Sequence, residues 1–292
     1  FYEDKRQKLK SICVKMALKI PYYRRKMEEQ ISKVEFDLVG NMENLEKSIL
    51  SRSLTLPDKG HNKEQIINKL LINANADKNQ FNELKLSGTL YNTPTTDEKE
   101  LLKGVLDIYY KTNPLHADIY PSLVTMEKDI ISMTKSILNC PKSQGFGTVT
   151  TGGTESIMLA LFGYREFAKK NKGINYPEVI APETVHPAFD KGCYYFGIKL
   201  VKIKVDNDNN LDFKQLGWAI NSNTILIVGS APSFPHGLVD DIQKLSKIAT
   251  KNDIPLHVDA CLGGFVFPFL DDNHPPYDFR NFGVTSMSID TH

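Results

Sequence analysis

From Pro121 to Ile289, short apolar runs of strand length alternate with longer runs of helical spacing, and this alternation constrains the fold more than any other feature. The spacing predicts helices over Ser122–Leu138, Glu155–Lys169, Pro187–Tyr195, Phe213–Asn221 and Ile242–Asn252. Between them it predicts strands over Gly147–Thr151, Glu178–Ala181, Lys199–Val205, Thr224–Ser230, Pro255–Val258 and Thr285–Ile289. Such a pattern gives an α/β fold with a mostly parallel sheet and helices on both faces. Continuously apolar strands, of which Ile225-Leu226-Ile227-Val228 is the clearest, are what a sheet covered on both faces requires.

The chain reads as three parts: a helical segment over 1–73, a loop-rich segment over 74–120 and the large α/β domain over 121–292. The first 49 residues suggest two amphipathic helices broken at Pro21, with a basic face that includes Lys5, Arg6, Lys8, Arg24, Arg25 and Lys26. That face could meet a membrane surface, although a solvated helix face is the plainer reading. A further short helix is expected to end near Asn73, and another spans Glu98–Tyr110. The loops Ser87–Asn92 and Asn113–Asp118 carry unusual polar residues of the kind that do chemistry.

Among 292 residues, 41% hydrophobic content is enough for a sizeable core, and a net charge of +1 gives no general attraction for nucleic acid. The four cysteines, Cys13, Cys140, Cys193 and Cys261, form no CxxC pair, so neither a disulfide framework nor a zinc site is indicated and a reducing compartment is expected. No apolar run approaches the roughly 18 residues of a membrane span. Phe1 leaves open a preceding segment or anchor.

Candidate ligand-binding residues fall at the carboxyl ends of predicted strands, where open α/β sheets hold ligands. Gly152-Gly153-Thr154-Glu155-Ser156 opens a helix and suits a phosphate, since its glycines admit an anion to the free N–H groups of the first turn. An ordinary helix start with Thr154 as N-cap is the competing reading. No GxxxxGK[ST] loop is present, and Gly145-Phe146-Gly147 lacks the third glycine of a dinucleotide fingerprint. His186 sits at the next strand-to-helix turn, Ser233 and His236 in the loop after Ser230, and Asp259 ends a buried strand, where a carboxylate needs a cation or donor. A phosphate cradle, a flat imidazole and a buried acid jointly fit pyridoxal 5′-phosphate, whose protonated ring nitrogen would pair with Asp259. The lysine that should carry the cofactor is missing, for none follows Lys251.

These motifs, with His257-Val258-Asp259-Ala260-Cys261-Leu262-Gly263-Gly264, resemble the fold-type I enzymes of the group II pyridoxal phosphate-dependent decarboxylase superfamily. Asn113-Pro114-Leu115-His116, Phe234-Pro235-His236-Gly237 and Asp290-Thr291-His292 resemble its sphingosine-1-phosphate lyase family in particular, and the similarity runs from about Ile20 to His292. The resemblance implies that Gly153 and Thr154 hold the cofactor phosphate with His292 nearby, that His186 stacks on the ring and has a catalytic part, and that Asp259 meets the ring nitrogen. Ser233 is a weaker cofactor contact, and no metal is implied. Tyr91, Asn113 and His116 match positions that bind substrate phosphate, with Tyr91 and His116 also assisting proton transfer.

The resemblance further implies the cofactor lysine directly after His292, a C-terminal small domain beyond it, and a homodimer that shares its active sites. The activity implied is retro-aldol cleavage of phosphorylated sphingoid bases, in the cytoplasm or at the cytosolic face of a membrane such as the endoplasmic reticulum. The other readings are an amino-acid decarboxylase of the same superfamily and a non-catalytic scaffold relative.

Overall fold

Successive residues of a strand face opposite sides of its sheet. The strand that begins at Glu178 does so, with Val179 and Ala181 in one buried apolar cluster and Ile180 in another. The computed structural model describes residues 20–33, 36, 56–83, 94–141, 144–206, 208–270 and 274–292. It contains two compact units, Phe1–Leu90 and Tyr91–His292.

In the first unit, residues 21–33 are helical and begin at Pro21, a residue suited to the first helical position. Helix α1 spans Lys63–Glu83 and so runs ten residues beyond the end expected near Asn73. No glycine or proline interrupts the sequence before Gly88, so nothing local stops the helix earlier. The rest of the basic N-terminal segment lies outside the described residues, as do Tyr91 and the Ser87–Asn92 loop.

The second unit contains a five-stranded, wholly parallel sheet: β1 Glu178–Pro182, β2 Lys199–Ile203, β3 Thr224–Ser230, β4 Leu256–Asp259 and β5 Val284–Ser288. Its order is β2-β1-β3-β4-β5. The chain therefore moves outward from β1 to β2 and returns to the opposite side of β1, reversing direction between β1 and β3. Such a reversal opens a crevice at the carboxyl ends of the strands.

Helices α2 Thr96–Tyr109 and α3 Pro121–Ile137 precede the sheet, and α4 Gly153–Lys172, α5 Pro187–Phe196, α6 Phe213–Ala219 and α7 Ile242–Lys251 pack with it. Ile157 and Leu161 of α4 and Phe189 of α5 join Val179, Ala181 and Val228 on one face. Leu216 of α6 and Leu245 and Ala249 of α7 join Ile180, Ile227 and Leu256 on the other. All seven residues of β3 are buried, which is why its sequence is apolar without alternation. Burial of each large aliphatic side chain here contributes on the order of 1.5–3 kcal/mol.

Local signals set the helix ends. Thr95 and Glu98 form a reciprocal capping box at α2, and the Asp212 and Asp241 carboxylates cap α6 and α7. The strand expected over Gly147–Thr151 does not form. Val149 donates its N–H to Glu127 Oε1 of α3 at 3.2 Å, so a side chain takes the place of a ladder, and Phe146 is fully exposed.

Candidate active site

Gly152 begins the site. It is the N-cap of α4 at φ 154°, a backbone region that favours glycine, and no side chain caps the helix there. Thr154 is therefore not the N-cap; it lies in the first turn, because the helix starts one residue before it. Thr151 instead turns back to Glu155, whose Oε2 accepts from the Thr151 N–H at 2.6 Å and hydroxyl at 2.7 Å. These bonds hold the Glu155 carboxyl below its usual range. The uncapped first turn, with Gly153 and Thr154, borders a cavity of about 170 Å³.

The same cavity is lined by His186, Phe234, Asp259, Cys261, Asp290 and His292, together with neighbouring apolar residues. Each of these six lies beyond or at the carboxyl end of a strand, as the crevice at the order reversal predicts. His186 is the N-cap of α5, its Nδ1 accepting from the Ala188 N–H at 3.1 Å. Its ring also meets Phe234 edge-on, with centroids 5.9 Å apart. The imidazole thus serves both as a helix cap and as a cavity wall.

Asp259 is 7% exposed. Its Oδ1 accepts from the Cys261 N–H and from the Ser288 hydroxyl, each at 3.2 Å, whereas Oδ2 has no hydrogen bond among the described residues. Beside it, the Cys261 thiol is pushed up by burial and then by the carboxylates of Asp259 and Asp290, so it stays a neutral wall of the cavity. His292 Nε2 lies 3.5 Å from Asp290 Oδ2. A β-carbon on Gly153 would come within 2.7 Å of both Asp290 Oδ2 and Cys261 Sγ, so only glycine leaves this turn open.

Gly153, Thr154, His186, Asp259 and His292 are therefore brought together as expected. Ser233 is buried in the adjoining loop, where its backbone bonds to Leu238 and Gly237, but its neighbours Pro232 and Phe234 line the cavity in its place. Asn113 and His116 stand on an exposed turn and do not line the cavity, with Asn113 Oδ1 accepting from the Leu115 N–H at 3.1 Å. Asp290 and Cys261 were not singled out as site residues. The only sequence signal for either is position, two residues beyond a strand end.

The residues present suit pyridoxal phosphate. The uncapped N–H groups of α4 match a phosphate, the His186 ring offers a flat wall, and the carboxylate of Asp259 lines the cavity with its Oδ2 free of any hydrogen bond among the described residues.

Residues 89–292 match the model of the pyridoxal-dependent decarboxylase conserved domain. The chain is 41% identical over 285 residues to sphingosine-1-phosphate lyase of Drosophila melanogaster, covering 95% of this chain and 51% of that protein. It is 40% identical to sphingosine-1-phosphate lyase 1 of Mus musculus, covering 98% of this chain and 50% of the relative. The chain thus spans about half the length of these relatives. Among solved structures, the sphingosine-1-phosphate lyase of Burkholderia pseudomallei matches with a TM-score of 0.77 at 33% identity, covering 85% of this chain and 59% of the other.

Proposed function

Since the chain belongs to the pyridoxal-dependent decarboxylase family, we propose that it binds pyridoxal 5′-phosphate in this cavity and forms part of a lyase that cleaves phosphorylated sphingoid bases. One observation carries the cofactor reading: an uncapped helix start, a flat imidazole and a buried carboxylate with a spare oxygen face one cavity. The similarity to sphingosine-1-phosphate lyases across most of the chain supports the substrate class.

When bound, pyridoxal phosphate supplies an electron sink through its protonated ring. The chain's own residues then have defined tasks. The N–H groups at Gly153 and Thr154 hold the phosphate, with His292 beside it and Ser233 in the supporting loop. His186 would stack on the ring and orient it, and Asp259 Oδ2 would accept from the ring nitrogen. In the overall reaction a base removes the proton of the substrate hydroxyl, the bond between the hydroxyl-bearing and amine-bearing carbons breaks, and the amine-bearing carbon takes up a proton in its place. The products are a long-chain aldehyde and phosphoethanolamine.

Tyr91, Asn113 and His116 are proposed to bind the substrate phosphate, with Tyr91 and His116 also moving protons, in the site of a second copy of the chain. The exposure of Asn113 and His116, away from their own cavity, supports a shared site in a homodimer. Among the described residues no helix is long and apolar enough to cross a membrane, and action at the cytosolic face of a membrane is proposed for access to a lipid substrate.

The test is to incubate the full-length protein and pyridoxal phosphate with sphinganine 1-phosphate and quantify both products. Stoichiometric aldehyde and phosphoethanolamine support the reading. Carbon dioxide release from an amino acid, with no sphingoid cleavage, would replace it with a decarboxylase.

A further inference from the structure

The sheet face that carries Asp259 also carries a buried polar chain that plain core packing does not require. Parallel pairing sets His257 opposite Ser286 and Asp259 opposite Ser288, after a register shift between Leu256 and His257. His257 is 1% exposed and packs edge-on against Phe189 of α5. Its Nδ1 lies 2.8 Å from Ser286 Oγ, and its Nε2 lies 3.2 Å from Ser288 Oγ. Tyr164 of α4 reaches Ser286 Oγ at 2.6 Å, also contacting Thr285 Oγ1 at 2.6 Å. At the other end, Ser288 donates to Asp259 Oδ1 at 3.2 Å.

The order of the protons follows from donor counting. Ser288 has one proton, which it gives to Asp259, so its oxygen accepts from His257 Nε2–H. His257 Nδ1 is then an acceptor and takes the Ser286 proton, and Ser286 in turn accepts from Tyr164. Every donor in the chain points toward the carboxylate that lines the cavity. Hydrogen bonds in such a chain reinforce one another.

We infer that Ser288, oriented by His257, Ser286 and Tyr164, is a positioning residue that anchors Asp259 Oδ1 and so presents Oδ2 to the ring nitrogen of the cofactor. This rests on the cofactor reading above. An alternative role, core polarity satisfied for its own sake, predicts no dependence on the ligand's ring nitrogen.

The experiment compares dissociation constants of two ligands for the full-length apoprotein, by fluorescence titration. One ligand is pyridoxal phosphate, and the other is its deaza analogue, in which a C–H replaces the ring nitrogen. Ser288→Ala is expected to weaken pyridoxal phosphate about tenfold, the scale of a hydrogen bond to a charged group, and the analogue less than about twofold. Ser288→Thr, which keeps the hydroxyl, is expected to restore binding to within about threefold. If Ser288→Ala does not fold, as judged by circular dichroism, Ser286→Ala tests the same chain from a more accessible position. It should show the same selective loss at about threefold.

Equal weakening of both ligands, unchanged binding of pyridoxal phosphate, or no rescue by threonine would each overturn the inference while leaving the cofactor reading intact. Failure of the unsubstituted protein to bind pyridoxal phosphate would overturn both.

Discussion

Gly153 and Asp290 approach so closely that a β-carbon on the glycine would stand 2.7 Å from the Asp290 carboxylate. The first turn of α4 is open to the cavity only because this position has no side chain. Gly153→Ala should therefore reduce affinity for pyridoxal phosphate by about tenfold or more, because Asp290 or the helix start must shift. Alanine is the better helix former, so the thermal midpoint should stay within about 2 °C of the parent. Ligand titration and thermal unfolding of the same samples check both halves.

Asp259→Asn keeps the size of the side chain and an oxygen to accept the Ser288 and Cys261 donors, but removes the charge. Affinity for pyridoxal phosphate should fall by about tenfold to a hundredfold, since a charge-assisted bond is replaced by a neutral one. Equal affinity of the two proteins in equilibrium dialysis would mean that Asp259 does not meet the ring nitrogen.

The buried His257 and the partly buried Asp240 should give opposing pH dependences of stability. Burial pushes the Asp240 carboxyl up from 3.8 to about 6, partly countered by the Ser230 N–H at 2.7 Å. Burial pushes His257 down from 6.5 to about 4, with Asp259 acting in the opposite sense. Between about pH 4 and 6 the folded chain keeps the Asp240 proton that the unfolded chain has lost, so this contribution falls as pH rises. Between about pH 4 and 6.5 the unfolded chain takes up a proton on His257 that the folded chain refuses, so this contribution rises with pH. Asp240→Asn should leave a stability that climbs with pH across the window, and His257→Gln should tilt it the other way. Thermal midpoints at several pH values check the two slopes.

Thr95→Ala removes one half of the capping box at α2, a helix with no buried residue of its own. The loss should be about 1 kcal/mol, felt locally and not by the sheet. Faster hydrogen exchange of the first α2 amides, with unchanged protection in β3, is the expected pattern.

The sheet was legible in the sequence because its central strand is buried on both faces; the largely β-branched, continuously apolar Ile225-Leu226-Ile227-Val228 suits such a strand, and β3 runs from Thr224 to Ser230. Gly147–Thr151 misled because a β-branched run looks the same whether a neighbouring strand or the side chains of Glu127 and Glu155 accept the N–H groups of Val149 and Thr151. Thr154 misled for a related reason: threonine caps helices well, but Gly152 reaches a backbone angle that threonine rarely adopts. Gly153, His186 and Asp259 could be read because each sits beside a predicted strand end. Asp290 and the His257–Ser288 contact could not. They depend on which strands become neighbours and in what register, and residues 29 or more apart carry no local sign of that.

Tethering His186 Nδ1 to the Ala188 N–H has one more consequence. With one nitrogen tied to the helix start and the ring edge against Phe234, the imidazole loses its rotational freedom when the chain folds and not when a ligand arrives. A flat ligand then meets a surface already at rest. The same tie gives that surface a mechanical partner, because any tilt of the ring strains the first turn of α5. Occupancy of the cavity should therefore be audible at the start of a helix none of whose residues lines that cavity.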